Sequence, residues 1–396
     1  MVHRLGIKQN LYLQKQTNQE LNLNLNNTQR IQQTTFLQFK NILKNQQNIQ
    51  NTQTLLKKSK FLYLLIIYKL NIYRFRFEHY QQGAITIPFT WADSFNTQKS
   101  VAVPSIQYEK ACIWYNLAIL YYTEGLSLQE SNDSDKRKQA IAKYRQGAWA
   151  ITQTRNLALN IIPEVRQIHS DLTEENLDIL YHLMIANSYV CLFQNLLPQE
   201  IKLGSNILAQ IAQEASNNFT IGLSKVNECL KQGSSGINQE HLTQTKNSLY
   251  FSSVYYMIEA SNKMIVYHNS ELEDNLKGNH MGLALGYIKK VDNVLKQVLG
   301  NQAAMKSLNE QQKQALIALK NQNDQKYNEY NNRNQQIYKE QVSEGVSIEE
   351  VSDNLLIKAV EPKEFGVQLT VNEDDFCQFM NDEMNKLINE IKQFAF

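Results

Sequence analysis

From Ser105 to Tyr122, apolar side chains fall on nearly every side of one helix. Tyr108, Cys112, Tyr115, Ile119 and Tyr122 make one stripe at helical spacing, and Ala111, Trp114, Ala118 and Tyr121 make another beside it. A helix of this kind can turn no side to water, so other elements must enclose it. Glu109 and Lys110 at its start then need partners, because an unpaired charge in such surroundings is costly.

The enclosing elements follow in the chain as long helices with short breaks. A second strong helix is expected over Ser134 to Leu159, with Ile141, Tyr144, Ala148 and Ile151 on one side. Thr173 can cap the free amides of a third, whose first-turn acids Glu174 and Glu175 face the positive end of the helix dipole. That helix should end before Pro198. Gln199 to Gln232 reads as one further helix, closed by the Gly233-Ser234-Ser235-Gly236 turn, and residues 240–269 and 278–335 read as a long pair. The arithmetic is that of two-helix solenoids of the tetratricopeptide type, without a strict 34-residue period. Strand signals gather only upstream of this region: Gln81 to Phe89 alternates around Ile85 and Ile87, with Pro88 at its end.

Five prolines and fourteen glycines leave little material for long linkers in 396 residues, and a 42% hydrophobic fraction suffices for a large core. Forty basic against 38 acidic residues give a formal charge of +2, too small a field to suggest nucleic-acid binding. Cys112, Cys191, Cys229 and Cys377 lie far apart with no C-x-x-C pair, which argues against zinc sites and disulfide frameworks and fits a reducing cytosolic setting. The longest apolar run, Phe61 to Tyr68, falls short of a membrane span. No signal-peptide core opens the chain, and Lys392-Gln393-Phe394-Ala395-Phe396 offers no prenylatable cysteine.

Catalysis finds no support in these residues. The seven histidines show no H-E-x-x-H spacing, and neither a G-x-S-x-G elbow nor a Walker-type loop occurs. His268 and His280, with Glu271, Glu273 and Asp274 between them, can be drawn as a metal site, but their irregular spacing favours a solvated turn. No cofactor, metal or small-molecule substrate is expected.

Two blocks carry a family resemblance. Phe89-Thr90-Trp91-Ala92-Asp93-Ser94-Phe95, followed by Tyr108-Glu109-Lys110 and Asn116, resembles the signature of the Bro-one domain, the banana-shaped helical module of Alix-like adaptors. These residues are expected to hold the fold together, with Trp91 as a buried anchor, and not to form the binding site. The resemblance extends to Gln336-Ile337-Tyr338-Lys339, Ser347 to Val351 and Leu355 to Pro362, which look like the family's closing arm wrapped back along the helices, although Ser343 stands where relatives usually carry proline. The implied architecture is mainly α, an elongated helical solenoid with a small β-sheet near the N-terminal portion. Residues 1–54, rich in Asn and Gln, read as a divergent N-terminal segment, with helices available at 35–49 and 55–72; residues 55–396 read as the Bro-one domain.

The resemblance also implies a function. In this family a hydrophobic patch receives the C-terminal amphipathic helix of filament-forming ESCRT-III subunits, the charged multivesicular body proteins. The matching positions here are Leu192, with Phe193 as a substitute for the aromatic usual in relatives, then Ile207 and Ile211, with Lys138 beside them. Ile207 and Ile211 sit four apart on one helix face, which suits a helix-in-groove partner. The implied protein is a cytoplasmic, non-enzymatic adaptor, peripherally recruited to endosomal membranes for multivesicular-body sorting or scission. The basic clusters Lys57-Lys58-Lys60 and Lys136-Arg137-Lys138 would supply contact with anionic lipid. The alternative keeps the fold as a structural scaffold in a cytoskeletal or signalling assembly, its groove eroded.

Overall fold

A computed structural model describes residues 89–362 apart from 94–99, 104, 132, 160–169, 233–238, 275–277, 307 and 309. The helices expected at 35–49 and 55–72, the strand up to Pro88, the lysine cluster at 57–60 and the chain beyond Pro362 lie outside the described residues.

Two short strands come first. β1 (Phe89–Ala92) pairs antiparallel with β2 (Ser100–Val103), with Phe89 opposite Val103 and Ala92 opposite Ser100. Ser105 then caps α1 (Ile106–Gln129), its side chain accepting the Tyr108 N–H at 3.3 Å. α2 (Ser134–Ala158) starts behind the Asp133 cap, and α3 (Glu174–Leu196) behind Thr173, as its cap chemistry implies.

The single helix expected over 199–232 is two. α4 (Glu200–Leu203) is separated from α5 (Ser205–Gln232) by Gly204, whose φ of 88° lies where side chains rarely go. α6 (Gln239–Asp274) is one long helix. The stretch expected as one helix over 278–335 is likewise divided, into α7 (His280–Gly300), α8 (Gln302–Lys306) and α9 (Glu310–Arg333). Asn301, in an extended conformation after Gly300, ends α7 and turns its side chain to cap the Ala304 N–H at 3.1 Å.

Each long helix packs on the next in sequence, α1 on α2, α2 on α3, α3 on α5, α5 on α6, α6 on α7 and α7 on α9. Such nearest-neighbour stacking gives an elongated helical solenoid, with the two-stranded sheet against its first helix. The main core runs from Val103 through Tyr108, Tyr144, Met184 and Leu208 to Tyr256, and α1 is enclosed as its sequence demands. Smaller clusters continue it, one around Val254, Leu295 and Leu316 and another around Ile265, Met281 and Tyr287.

The signature residues are structural, with one departure from expectation. Asp93 is buried and takes both the N–H and the hydroxyl of Ser170, each at 2.6 Å, which ties the sheet to the turn before α3. Trp91 donates its indole N–H to the buried Glu109 carboxylate. Trp91 itself is only half-buried, lying across the main core and the Ile113-Leu117-Tyr121 cluster, so the fully enclosed anchor of this block is the acid.

Past α9 a single π-helical turn (Asn334–Tyr338) ends at Lys339, whose φ is 55°. Residues 339–362 then cross the solenoid as an arm without helix or strand, bent at Gly345 and turned at 353–355. The arm passes so close to α7 that a Cβ on Gly282 would stand 2.1 Å from the Gln341 carbonyl oxygen, and one on Gly286 2.4 Å from that of Ser343. The Ser343 N–H donates to the Gly282 carbonyl at 3.0 Å, a bond that proline could not make. Farther on, the Tyr287 hydroxyl donates to the Ser347 carbonyl at 2.6 Å, the Ile357 N–H to the Tyr189 hydroxyl at 3.0 Å, and the Val360 N–H to the Arg145 carbonyl at 3.1 Å. Leu355, Ile357 and Ala359 point inward while Leu356, Lys358 and Val360 are exposed, a period of two without a sheet partner.

Candidate functional site

The candidate site is a face built by α2, α3 and α5. Ion pairs fix the direction of these helices: Arg155, late in α2, meets Asp178, early in α3, and Lys225, late in α5, reaches the same carboxylate at 3.7 Å. Neighbours therefore run antiparallel. The arm crosses the face at Arg145, Tyr189 and Glu214, one residue from each helix. The Arg145 Nε donates to the Lys358 carbonyl at 2.8 Å, Tyr189 holds Ile357, and the charge of Glu350 is felt at Glu214. Burial pushes the Glu214 carboxyl above its usual range, Asn217 opposes that by hydrogen bonding, and Glu350 adds to the rise.

Lys138 and Ile207 stand seven residues before Arg145 and Glu214, and Leu196 stands seven after Tyr189. Seven residues are nearly two full turns, so these three share the arm's face, displaced along it by about 10 Å. The result is a strip beside the arm. Leu192, Leu196 and Ile207 are half-buried on it and rest on the main core. Lys138 is at one edge, its side chain 64% exposed and its Nζ 2.9 Å from Asp135. At the other edge α4 projects Ile201 fully into solvent, with Lys202 exposed beside it. Glu200 holds that turn in place, accepting from the Ser205 hydroxyl and from the buried Lys263 Nζ, each at 2.7 Å.

Two of the five expected contact residues do not reach this surface. Ile211 is completely buried, one turn inward of Ile207. Phe193 is buried as well, edge-on to Tyr256 of α6 at 6.2 Å between ring centroids. Spacing places Ile207 and Ile211 on one helix face, yet the face curves under the neighbouring helices, so one isoleucine is at the rim and the other in the core. Leu196, which was not singled out in the sequence, takes a place on the strip. Its signal was the seven-residue offset from Tyr189.

The histidine pair is also placed differently from the sequence reading. His268 belongs to α6 and is buried, with its Nδ1 3.2 Å from Nδ1 of His280 and its ring stacked on Tyr287. Burial, assisted by His280, pulls its pKa down to about 4. This is no solvated turn. Among the described residues no group of three or more His, Cys, Asp or Glu could hold a metal ion, and no helix is long and apolar enough to cross a membrane.

Known proteins share this fold. A family model described as BRO1-like domain matches residues 12–389. The "pH-response regulator protein palA/RIM20" of Pyricularia oryzae is 29% identical over 133 residues, covering 33% of this chain and 15% of that protein. The human "Programmed cell death 6-interacting protein" is 26% identical over 150 residues, covering 35% of this chain and 16% of that protein. The matched segment is thus a small part of the length of these relatives. Among solved structures, one described as "ALIX BRO1 CHMP4C complex" superposes with a TM-score of 0.59 at 16% identity, over 83% of this chain and 82% of the other. Another, described as "Structure basis for endosomal targeting by the Bro1 domain", gives a TM-score of 0.55 at 16% identity, over 91% and 87%.

Proposed function

Because this chain belongs to the BRO1-like domain family, we propose that it is a non-enzymatic adaptor that binds the C-terminal amphipathic helix of filament-forming ESCRT-III subunits at endosomal membranes. The observation that carries this reading is the half-buried aliphatic strip of Leu192, Leu196 and Ile207, edged by Lys138, on a fold similar to a BRO1 domain in complex with CHMP4C. An amphipathic helix laid on the strip would bury its aliphatic side against these three residues and present its acids to Lys138 and Lys202. The exposed lysines Lys136 and Lys138 would add contact with anionic lipid, each at about 1 kcal/mol near such a surface.

The test is calorimetric titration of the protein with C-terminal helix peptides from the organism's own ESCRT-III subunits. Saturable binding is expected, with Lys138→Glu weakening it modestly and in a salt-dependent way, since an exposed rim charge acts through screened electrostatics. Absence of saturable binding by every such peptide would remove the adaptor reading.

Burial of Phe193 and Ile211 favours the second reading, a scaffold with an eroded groove. A smaller apolar strip offers less area to a helix, and such a protein would act through other surfaces of the same solenoid.

A further inference from the structure

Where the arm passes α7 it exposes one serine. Val346 and Ile348 turn inward there against the cluster of Met281 and Tyr287, and Ser347 between them turns its side chain out to solvent. The other serines of the arm are engaged, since the Ser343 hydroxyl accepts from Asn279 Nδ2 at 3.1 Å and the Ser352 hydroxyl donates to Asn354. The Ser347 hydroxyl bonds to none of the described residues, and only its carbonyl is held, by Tyr287. From Ser343 to Asp353 the chain carries four acids and no base, with Glu349 and Glu350 exposed two and three residues after Ser347.

Across from this segment α7 presents a cation that no acid meets. Lys290 is half-buried, burial holds its pKa below the ordinary lysine value, and among the described residues its Nζ finds only the Val346 carbonyl, at 3.4 Å. That carbonyl belongs to the peptide leading into Ser347. Gly282 and Gly286, eight and four residues before Lys290, let the arm lie close enough for the contact.

We propose that Ser347 is a phosphorylation site for an acid-directed serine kinase and that Lys290 holds its phosphate, fastening the arm to α7. The step moves the γ-phosphoryl group of ATP to the Ser347 Oγ: an O–P ester bond forms, the bond from the γ-phosphorus to the β–γ bridging oxygen breaks, ADP leaves, and the hydroxyl proton passes to the base of the kinase. Glu349 and Glu350 supply the acids that a basic substrate cleft reads. Access requires little opening, because no strand ladder holds the arm here and the Tyr287 and Lys290 bonds end on two adjacent carbonyls. The ester then places about −1.5 to −2 charges at neutral pH beside the lysine, where a charge-assisted bond replaces a long contact to a neutral carbonyl. Glu349, whose charge is felt at Tyr287, is exposed and can turn away from the phosphate.

The experiment incubates the full chain with ATP and an acid-directed serine kinase, maps the phosphate by mass spectrometry, and follows limited proteolysis of residues 339–361 before and after. Phosphate is expected on Ser347, lost in Ser347→Ala and reduced in the Glu349→Gln/Glu350→Gln variant. Cleavage of the arm should slow about tenfold on phosphorylation, the scale of one charge-assisted hydrogen bond, because cleavage tracks the population of the lifted arm. Lys290→Met should be phosphorylated yet show no slowing, and Lys290→Arg should retain it. Phosphate found only on other residues, or incorporation unaffected by Ser347→Ala, overturns the site. Cleavage that is unchanged or faster after Ser347 is modified, or a slowing that survives in Lys290→Met, overturns the role of Lys290 and with it the proposal.

Discussion

Asp93 and Ser170, 77 residues apart, are joined by two hydrogen bonds of 2.6 Å through a single carboxylate oxygen. The acid comes from the end of β1 and the serine from the 3₁₀ turn (Ser170–Leu172) ahead of α3, so the pair locks the sheet to the interior of the solenoid. Asp93→Ala should cost about 2–4 kcal/mol, because it leaves a buried N–H and hydroxyl without their charged acceptor. Urea denaturation measures this, and a variant as stable as the unaltered protein would show that the sheet is not anchored there.

Trp91→Ala removes a ring that spans two apolar clusters and deprives the buried Glu109 of its indole donor. A loss of about 3 kcal/mol is expected, toward the low end for a large core residue because the ring is half-buried. Soluble yield should fall while the folded fraction keeps its affinity for helical peptides. Selective loss of binding in a fully stable variant would contradict the division between fold residues and site residues.

Gly286→Ala tests the path of the arm. The added Cβ would stand 2.4 Å from the Ser343 carbonyl oxygen and 2.7 Å from Val346 Cγ1, and the first is backbone that cannot swing aside. Displacing the arm there should cost about 1–3 kcal/mol of overpacking strain and open residues 339–361 to limited proteolysis. An unchanged digestion pattern would mean that the arm does not lie against α7.

His268 gives the protein an acid-sensitive element. Its pKa falls from the ordinary 6.5 to about 4 through burial and the neighbouring His280, so between these values the unfolded chain binds more protons than the folded one. Stability contributed by the neutral ring is therefore complete above pH 6.5 and lost as the pH drops through 4. His268→Gln should flatten the difference in melting temperature between pH 6.5 and pH 4 relative to the unaltered protein. Parallel pH profiles for the two would refute this role.

Much of the architecture was legible in the sequence because its signals are local. Ser105 and Thr173 cap their helices through atoms three residues away, and the uniform apolarity of α1 required enclosure whatever the surroundings. The division at Gly204 was missed because helical spacing continues on both sides, while the deciding quantity is a backbone dihedral. The strip was harder to read. Whether Ile207 or Ile211 meets solvent depends on how neighbouring helices close over α5, and the burial of Phe193 depends on Tyr256, 63 residues away. His268 was read as part of a solvated turn, since the ring that stacks on it, Tyr287, comes from the next helix.

The most direct test of the groove is the contrast between Ile207→Asp and Ile211→Asp, measured as affinity for an ESCRT-III C-terminal helix peptide alongside a thermal melt. Ile207, half-buried at the rim, should tolerate aspartate in the free protein yet lose about 2 kcal/mol or more of binding, about thirtyfold in affinity. Ile211, with no exposed surface, should instead unfold the protein when replaced by a charge that nothing pairs. Unchanged affinity in a folded Ile207→Asp variant would contradict the groove and leave this solenoid to act as a scaffold.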